Sequence, residues 1–304
     1  MTKIIRSPFF YVGDKYKLMA QIERLFPDDI NTFIEPFLGG GSVFLNTNAN
    51  RYIVNDLEAN IVDLHKLFYS YKDNKEIFIE ELIDIIKDYN LSCSFIGITA
   101  PEELKKKYVK TYYAKYNKDG YWKMRDSYNN SNDVKLLYLL LIYGFNHMIR
   151  FNNNGKFNLP VGNVDFNNNV YTAINNYMDF ISQKNIEYYN MDYRRFISDL
   201  EIEKDDFIYF DPPYLLSNSE YNKMWDEEKE EELYNTIDFL VSKGIKFGLS
   251  NLLIQKGEEN YILSKWMGKY NVYDIKSNYI SYYDNSIKKS NKEVYITNVE
   301  KTRT

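Results

Sequence analysis

The sequence predicts a three-layer α/β fold, in which a mixed, mainly parallel sheet carries helices on both faces. Three observations point to it. FIYF at Phe207–Phe210 is an aromatic and β-branched run of the kind buried on both faces of a parallel sheet. It stops at Asp211, Pro212, Pro213 and Tyr214, where the prolines offer no N–H and fix their own φ. Other short apolar runs alternate with stretches of helical periodicity. A glycine-rich segment, FIEPFLGGGSVF at 33–44, leaves the first of those runs, and in open α/β sheets ligands bind at that edge.

The elements follow in order. Residues 32–36 read as the first strand and 52–54 as the second, which ends at Asn55 and Asp56. Ile61, Leu64, Leu67, Phe68 and Tyr71 recur at helical spacing, and Ile79, Leu82, Ile83 and Ile86 continue the pattern in a second helix. Residues 136–142 are apolar throughout and predict a buried helix. The segment YGFNHMIRFNNNGKFNLPVGN, 143–163, has the Asn, Gly and Pro punctuation of a loop or hairpin. Strands are expected at 186–189, 207–210 and 246–249, with a helix at 227–243 between the last two. Residues 273–281 and 293–299 flank the polar stretch YYDNSIKKSN and suit an antiparallel pair joined by a mobile loop, which brings the strand segments to seven. No repeat of domain size and no clear linker interrupts the chain.

With 304 residues, 44% hydrophobic and 17% aromatic, the chain can bury a large core. A single cysteine, Cys93, excludes an intrachain disulfide, and two histidines argue against a His/Cys metal site, so no metal is expected. The N-terminal MTKIIRSPFFYVGDK lacks the apolar core and cleavage site of a signal peptide, and the longest apolar run is too short to span a bilayer. A cytoplasmic protein with no membrane partner is expected. The formal net charge of −5 by itself argues mildly against a nucleic-acid partner. Residues 100–160 nevertheless hold eleven Lys or Arg against five acids, a net +6 that leaves −11 for the rest. Tyr108, Tyr112, Tyr113, Tyr116, Tyr121, Trp122 and Tyr128 interleave with these cations. That suits either a phosphate-tracking face or an ordinary solvated helix face.

Gly39, Gly40 and Gly41, between the first strand and a helix expected after them, allow backbone to approach a ligand closely, though a plain tight turn would also use them. The segment lacks the G-x-G-x-x-G of a dinucleotide site and the Gly-Lys-Ser/Thr of a phosphate loop. Glu35 beside it would repel phosphate and suits a cationic ligand, such as the sulfonium and amino groups of S-adenosylmethionine. Asp56, 21 residues on, stands where a carboxylate hydrogen-bonds ribose hydroxyls, or where a helix takes its N-cap. The chemistry of DPPY fits a nucleobase amine, whose lone pair is delocalised into the ring. Asp211 and the Pro212 carbonyl could accept both its N–H bonds and free that lone pair, while Tyr214 offers a face for an extruded base to stack on.

FFYVGDK at 9–15, FIEPFLGGGSVF at 33–44, YGFNHMIRFNNNGKFNLPVG at 143–162 and DPPY at 211–214 together resemble the Dam-type (D12 class) DNA adenine-N6 methyltransferases, in the motif order of their alpha group. The resemblance runs from residue 7 to about 298 and implies a fold of the S-adenosylmethionine-dependent methyltransferase type with a seven-stranded sheet. It implies a catalytic domain of 1–60 and 165–304 and a mainly helical, DNA-binding target-recognition insert at 61–164. It implies that Tyr11, Lys15, Glu35, Pro36, Phe37, Gly39, Gly41, Ser42, Asp56, Asp192 and Asp211 serve the donor, and that Asp211, Pro212, Pro213 and Tyr214 form the catalytic motif. Asp14 departs from the family, which usually has a second glycine there. The segment 146–158 matches the family's base-reading stretch. Arg150 is the residue expected on guanine, with Asn146, Asn152 and Lys156 beside it, although each could instead stabilise its loop by a hydrogen bond.

Trp225, His147 and Met148 suit either contact with DNA or ordinary packing, and His65 suits a structural place in its helix. Lys288, Lys289 and Lys292 suit either a phosphate strand or solvent. The expected reaction is methyl transfer from S-adenosylmethionine to N6 of an adenine flipped from duplex DNA, by a protein monomeric in solution and open to pairing with a cognate restriction endonuclease. Two rivals are methylation of an exocyclic amine in RNA, and a catalytically silent DNA- or donor-binding module.

Overall fold

The computed structural model describes residues 4–217, 225–276 and 291–300. Two compact units share them. One takes the chain through Asp14, then Gly39–Leu45 and Glu58–Lys184; the other takes Lys15–Leu38, Asn46–Leu57 and the residues from Asn185 on.

The second unit holds the sheet. Its strands are β1 (Thr32–Glu35), β2 (Arg51–Asn55), β3 (Asn185–Tyr189), β4 (Phe207–Phe210), β5 (Lys246–Gln255), β6 (Glu258–Glu259), β7 (Asn271–Ile275) and β8 (Lys292–Thr297). The order is β3-β2-β1-β4-β5-β8-β7, with the two-residue β6 paired to β5. β3, β2, β1, β4 and β5 run parallel, and β8 and β7 add an antiparallel edge. The seven strands expected from the sequence are all present. The β7–β8 pair forms as expected, while the 277–281 end of the expected seventh strand and nearly all of YYDNSIKKSN, with Lys288 and Lys289, lie outside the described residues.

Alternation along the strands sorts the core. Ile34, Ile53, Ile208, Phe210, Phe247, Leu249, Val294 and Ile296 face one side and share a buried cluster with α8 (Tyr193–Asp199), α9 (Glu227–Ser242) and α10 (Tyr261–Trp266). Phe33, Phe207, Tyr209 and Tyr295 surround Phe26 on the other side, behind the short α1 (Met19–Ile22). β1 and β4 are buried at every position, as a parallel strand covered on both faces requires.

The first unit is helical: α2 (Ala59–Ser70), α3 (Lys75–Asp88), α4 (Glu102–Lys107), α5 (Tyr112–Ser131), α6 (Val134–Tyr143) and α7 (Asn168–Ser182). α6 is buried from Leu136 through Tyr143 and forms its centre. Phe9, from the start of the chain, packs edge-on against Phe68, Tyr138 and Tyr177 of α2, α6 and α7, which is why the N terminus and α7 are counted in this unit. Residues 143–163 form the expected hairpin-like loop, with bridges Gly144↔Val161 and Phe151↔Phe157. One expectation needs correction. The glycine-rich segment leads into a single 3₁₀ turn, Phe44–Asn46, and not into an α-helix, because only four residues separate that turn from β2. No helix among the described residues is long and apolar enough to cross a membrane.

Candidate active site

In the sheet unit, β1 lies between β2 and β4, so successive connections diverge from the β1/β4 pair. That makes it the topological switch point, outside whose carboxyl ends ligands bind. Ile34 stands opposite Ile208, and Glu35 opposite Val54, so the exits of β4, β1 and β2 lie at one edge. Each exit carries an acid: Asp211 after β4, Glu35 at the end of β1 with only 1% exposure, and Asp56 after β2. Asn55 ties these exits together. Its Nδ2 donates to the Pro36 and Met191 carbonyls at 3.0 Å, its Oδ1 accepts the Met191 N–H, and its carbonyl accepts the Leu38 N–H at 2.8 Å. The helix that follows takes Glu58 as its N-cap, through the Asn60 N–H.

Asp211 is engaged on both oxygens. The Lys15 ammonium lies 2.9 Å from Oδ2, with the two side chains 5% and 18% exposed, so each charge offsets the other's loss of hydration. The same ammonium sits 4.9 Å from the centre of the Tyr214 ring, and the Tyr214 hydroxyl lies 3.2 Å from Oδ1. That hydroxyl also reaches Glu293 Oε1 at 3.1 Å. Lys15, which the resemblance assigns to the donor, is thus placed on the carboxylate of DPPY.

Beyond Pro36, the Phe37 ring lies 5.1 Å from that of Tyr193 and 5.9 Å from that of Trp225, an aromatic cluster at the same sheet edge. Trp225 is fixed from behind by Glu230, which is fully buried and also accepts from Tyr234, Asn251 and Asn260. Trp225 is thereby held in place at this edge. Asp192 caps α8 by accepting the Arg194 N–H, and its hydrogen bond with the Arg194 guanidinium holds its carboxyl below the usual range.

The glycine loop belongs to the helical unit. Gly41 has φ +73°, and a Cβ there would come within 2.5 Å of the Phe44 ring and 2.7 Å of His65. A Cβ at Gly40 would lie 2.9 Å from Tyr11 Cβ, so Tyr11 packs directly on the loop. Ser42 donates to the Asp14 carboxylate, which gives the residue departing from the family's glycine a definite partner. His65 has the structural place in its helix that the sequence suits, and it bonds the glycine loop as well. Burial lowers its pKa to about 4, so it is neutral near pH 7. A carbonyl can only accept, so Nε2 carries the proton given to Gly39 O at 2.9 Å, and Nδ1 accepts from the Tyr177 hydroxyl at 2.6 Å.

In the same unit, Arg150 Nε donates to Asn158 Oδ1 and Nη2 to the Asn158 carbonyl, both at 2.9 Å. Asn152 Oδ1 accepts the N–H groups of Asn154 and Lys156, and Asn146 adopts a left-handed conformation with φ +54°. Arg150 and Asn152 thus have the loop-stabilising bonds that their sequence context allowed. His147 packs its ring on Phe10 and bonds the Leu141 carbonyl. On α4 and α5, Lys107 and Lys115 lie over Tyr108, and Lys118 over the exposed Trp122. Among the described residues, no group of three or more His, Cys, Asp or Glu could hold a metal ion.

A mainly parallel sheet with acids and aromatics at its switch point is an open α/β fold of the kind that binds ligands at that edge. Residues 11–281 match the family model for D12 class N6 adenine-specific DNA methyltransferases, and the chain belongs to that family. Its fold is accordingly of the S-adenosylmethionine-dependent methyltransferase type. It is 33% identical over 302 residues to the Type II methyltransferase M.FokI of Planomicrobium okeanokoites, covering 97% of this chain and 43% of that protein. The modification methylase StsI of Streptococcus sanguinis is 32% identical, with 98% of this chain and 43% of that protein covered. The DNA adenine methylase of Haemophilus influenzae is 29% identical over 236 residues, covering 72% and 68%. The chain therefore spans less than half the length of the first two relatives.

Proposed function

We propose that the chain is a site-specific methyltransferase that moves a methyl group from S-adenosylmethionine to N6 of an adenine flipped from duplex DNA. The observation that carries this reading is the Lys15–Asp211–Tyr214 constellation at the switch point of a D12 class chain. The sheet unit's residues fit the donor: Glu35 and Asp56 suit an ammonium and ribose hydroxyls, and the faces of Phe37, Tyr193 and Trp225 suit a planar base. When bound, the donor supplies an electrophilic methyl on a cationic sulfur.

The chain's own residues do the rest. Asp211 and the Pro212 carbonyl accept the two amine hydrogens and draw the lone pair out of conjugation. Tyr214 stacks the extruded base, and Lys15 keeps the Asp211 carboxylate in place. Holding amine and methyl in line supplies roughly 7–11 kcal/mol of the barrier. Tyr11, Gly39, Gly41, Ser42 and Asp192 keep the donor role that the resemblance gives them. Asn146, Arg150, Asn152 and Lys156 keep the recognition role, within an insert of 61–164. The relatives' names, a Type II methyltransferase and a modification methylase, support pairing with a cognate restriction endonuclease. We place the activity in the cytoplasm, in a monomer.

The test is incubation of the purified protein with tritiated S-adenosylmethionine and, separately, unmethylated duplex DNA and total RNA, followed by nucleoside analysis. Label in N6-methyladenine from DNA is expected. Label confined to RNA, or to no nucleic acid while the donor still binds, overturns the reading.

A further inference from the structure

This mechanism asks Tyr214 to do two things at once: its ring must stay fixed as a stacking face, and its hydroxyl must release Asp211. The hydroxyl lies 3.2 Å from Asp211 Oδ1 and 3.1 Å from Glu293 Oε1. A phenol has one proton to donate, so the two carboxylates compete for it. When Asp211 Oδ1 accepts from an incoming amine, that proton needs no new partner, because Glu293 is already within reach and the ring need not move.

Glu293 is held rigidly enough for this. It lies in β8 opposite Leu252 of β5 and Ile275 of β7, with 1% exposure. Val294 and Ile296 face the helix-covered core, so alternation places Glu293 with Tyr295 and Thr297 on the opposite face. A carboxylate at a buried strand position loses its hydration and is retained only where it is hydrogen-bonded. Here one of its partners is the tyrosine of the DPPY motif, 79 residues away.

We propose that Glu293 is a positioning residue for methyl transfer: it holds the Tyr214 hydroxyl so that the ring keeps its orientation while Asp211 exchanges that hydroxyl for the target amine. This rests on the reading of Asp211 and Tyr214 as the groups that hold the target base.

The experiment is a double-mutant cycle on the full chain. Single-turnover transfer from tritiated S-adenosylmethionine to unmethylated duplex DNA is measured for the wild type, Glu293→Met, Tyr214→Phe and the pair. Each single change is expected to slow transfer about tenfold, and the pair no more than either alone, because both break one contact. Donor affinity by calorimetry should stay within about twofold, since the contact acts on the base and not on the donor. Glu293→Gln keeps an amide oxygen that accepts from the tyrosine and should retain most of the rate. If Glu293→Met does not fold, Glu293→Asp, which withdraws the carboxylate by one methylene, takes its place in the cycle. Multiplying losses in the pair, or a Gln variant as slow as the Met variant, overturns the positioning role while leaving the function intact. A wild type that methylates no adenine overturns both.

Discussion

Lys15 and Asp211 form an ion pair with little access to water, and such pairs are most costly when halved. Asp211→Ala leaves the ammonium buried and uncompensated, and should lower stability by about 3 kcal/mol. Replacing both, with Lys15→Met beside Asp211→Ala, should recover most of that loss and none of the activity. Urea unfolding of the three variants checks this, and losses that add would contradict it. His65 gives a pH prediction with a definite direction. Its folded pKa of about 4 lies below the ordinary 6.5, so between those values the unfolded chain binds a proton that the folded chain refuses. Its contribution is therefore complete above pH 6.5 and is lost as the pH falls to 4, by about 3 kcal/mol in all. Unfolding at pH 7, 6 and 5 should show a steeper decline in the wild type than in His65→Gln. Parallel curves would mean that the ring is not buried neutral against Gly39.

The elements show which readings were local. The DPPY exit was legible because an apolar run, an acid and two prolines fix a strand end within eight residues, with no help from the rest of the chain. The α-helix expected after the glycines does not form, since only four residues separate the turn Phe44–Asn46 from β2. Asn55 and Glu293 were missed for another reason: their partners lie far off in sequence, Tyr214 being 79 residues from Glu293 and Met191 136 from Asn55. Helix α5 shows the same limit. Gly120 in mid-helix looks improvable, as Gly to Ala there is ordinarily worth about 1 kcal/mol. A Cβ at that position would instead fall 2.0 Å from the Tyr89 carbonyl, so Gly120→Ala should destabilise by about 1–3 kcal/mol, readable as a lowered Tm. In the 143–163 hairpin, Arg150 is bonded twice to Asn158. Arg150→Ala should relax sequence choice across a panel of DNA sites more than it weakens non-specific binding, and unchanged choice would leave Arg150 with the hairpin alone.

At the scale of the molecule, one chain supports two compact units of different kinds, a sheet that carries the acids and a helical unit that carries the glycine loop and the net +6 segment 100–160. In the order β3-β2-β1-β4-β5-β8-β7 the strands buried at every position, β1 and β4, lie inside the sheet and the edge strands β3 and β7 carry exposed positions, a pattern the sequence carried strand by strand. It did not carry the pairing order itself, which is set by contacts between segments more than a hundred residues apart, as in β1 with β4. That pairing brings Glu35 and Asp211 to one edge, and the account of function depends on it. The most direct test of that account supplies S-adenosylmethionine bearing a deuterated methyl group to wild-type protein and to the Asp211→Ala variant, with unmethylated duplex DNA, and weighs the released nucleosides. The account predicts N6-methyladenine three mass units heavy from the wild type and none from the variant, with donor binding retained in both. Heavy N6-methyladenine formed by the Asp211→Ala variant at a rate near the wild type's would contradict it.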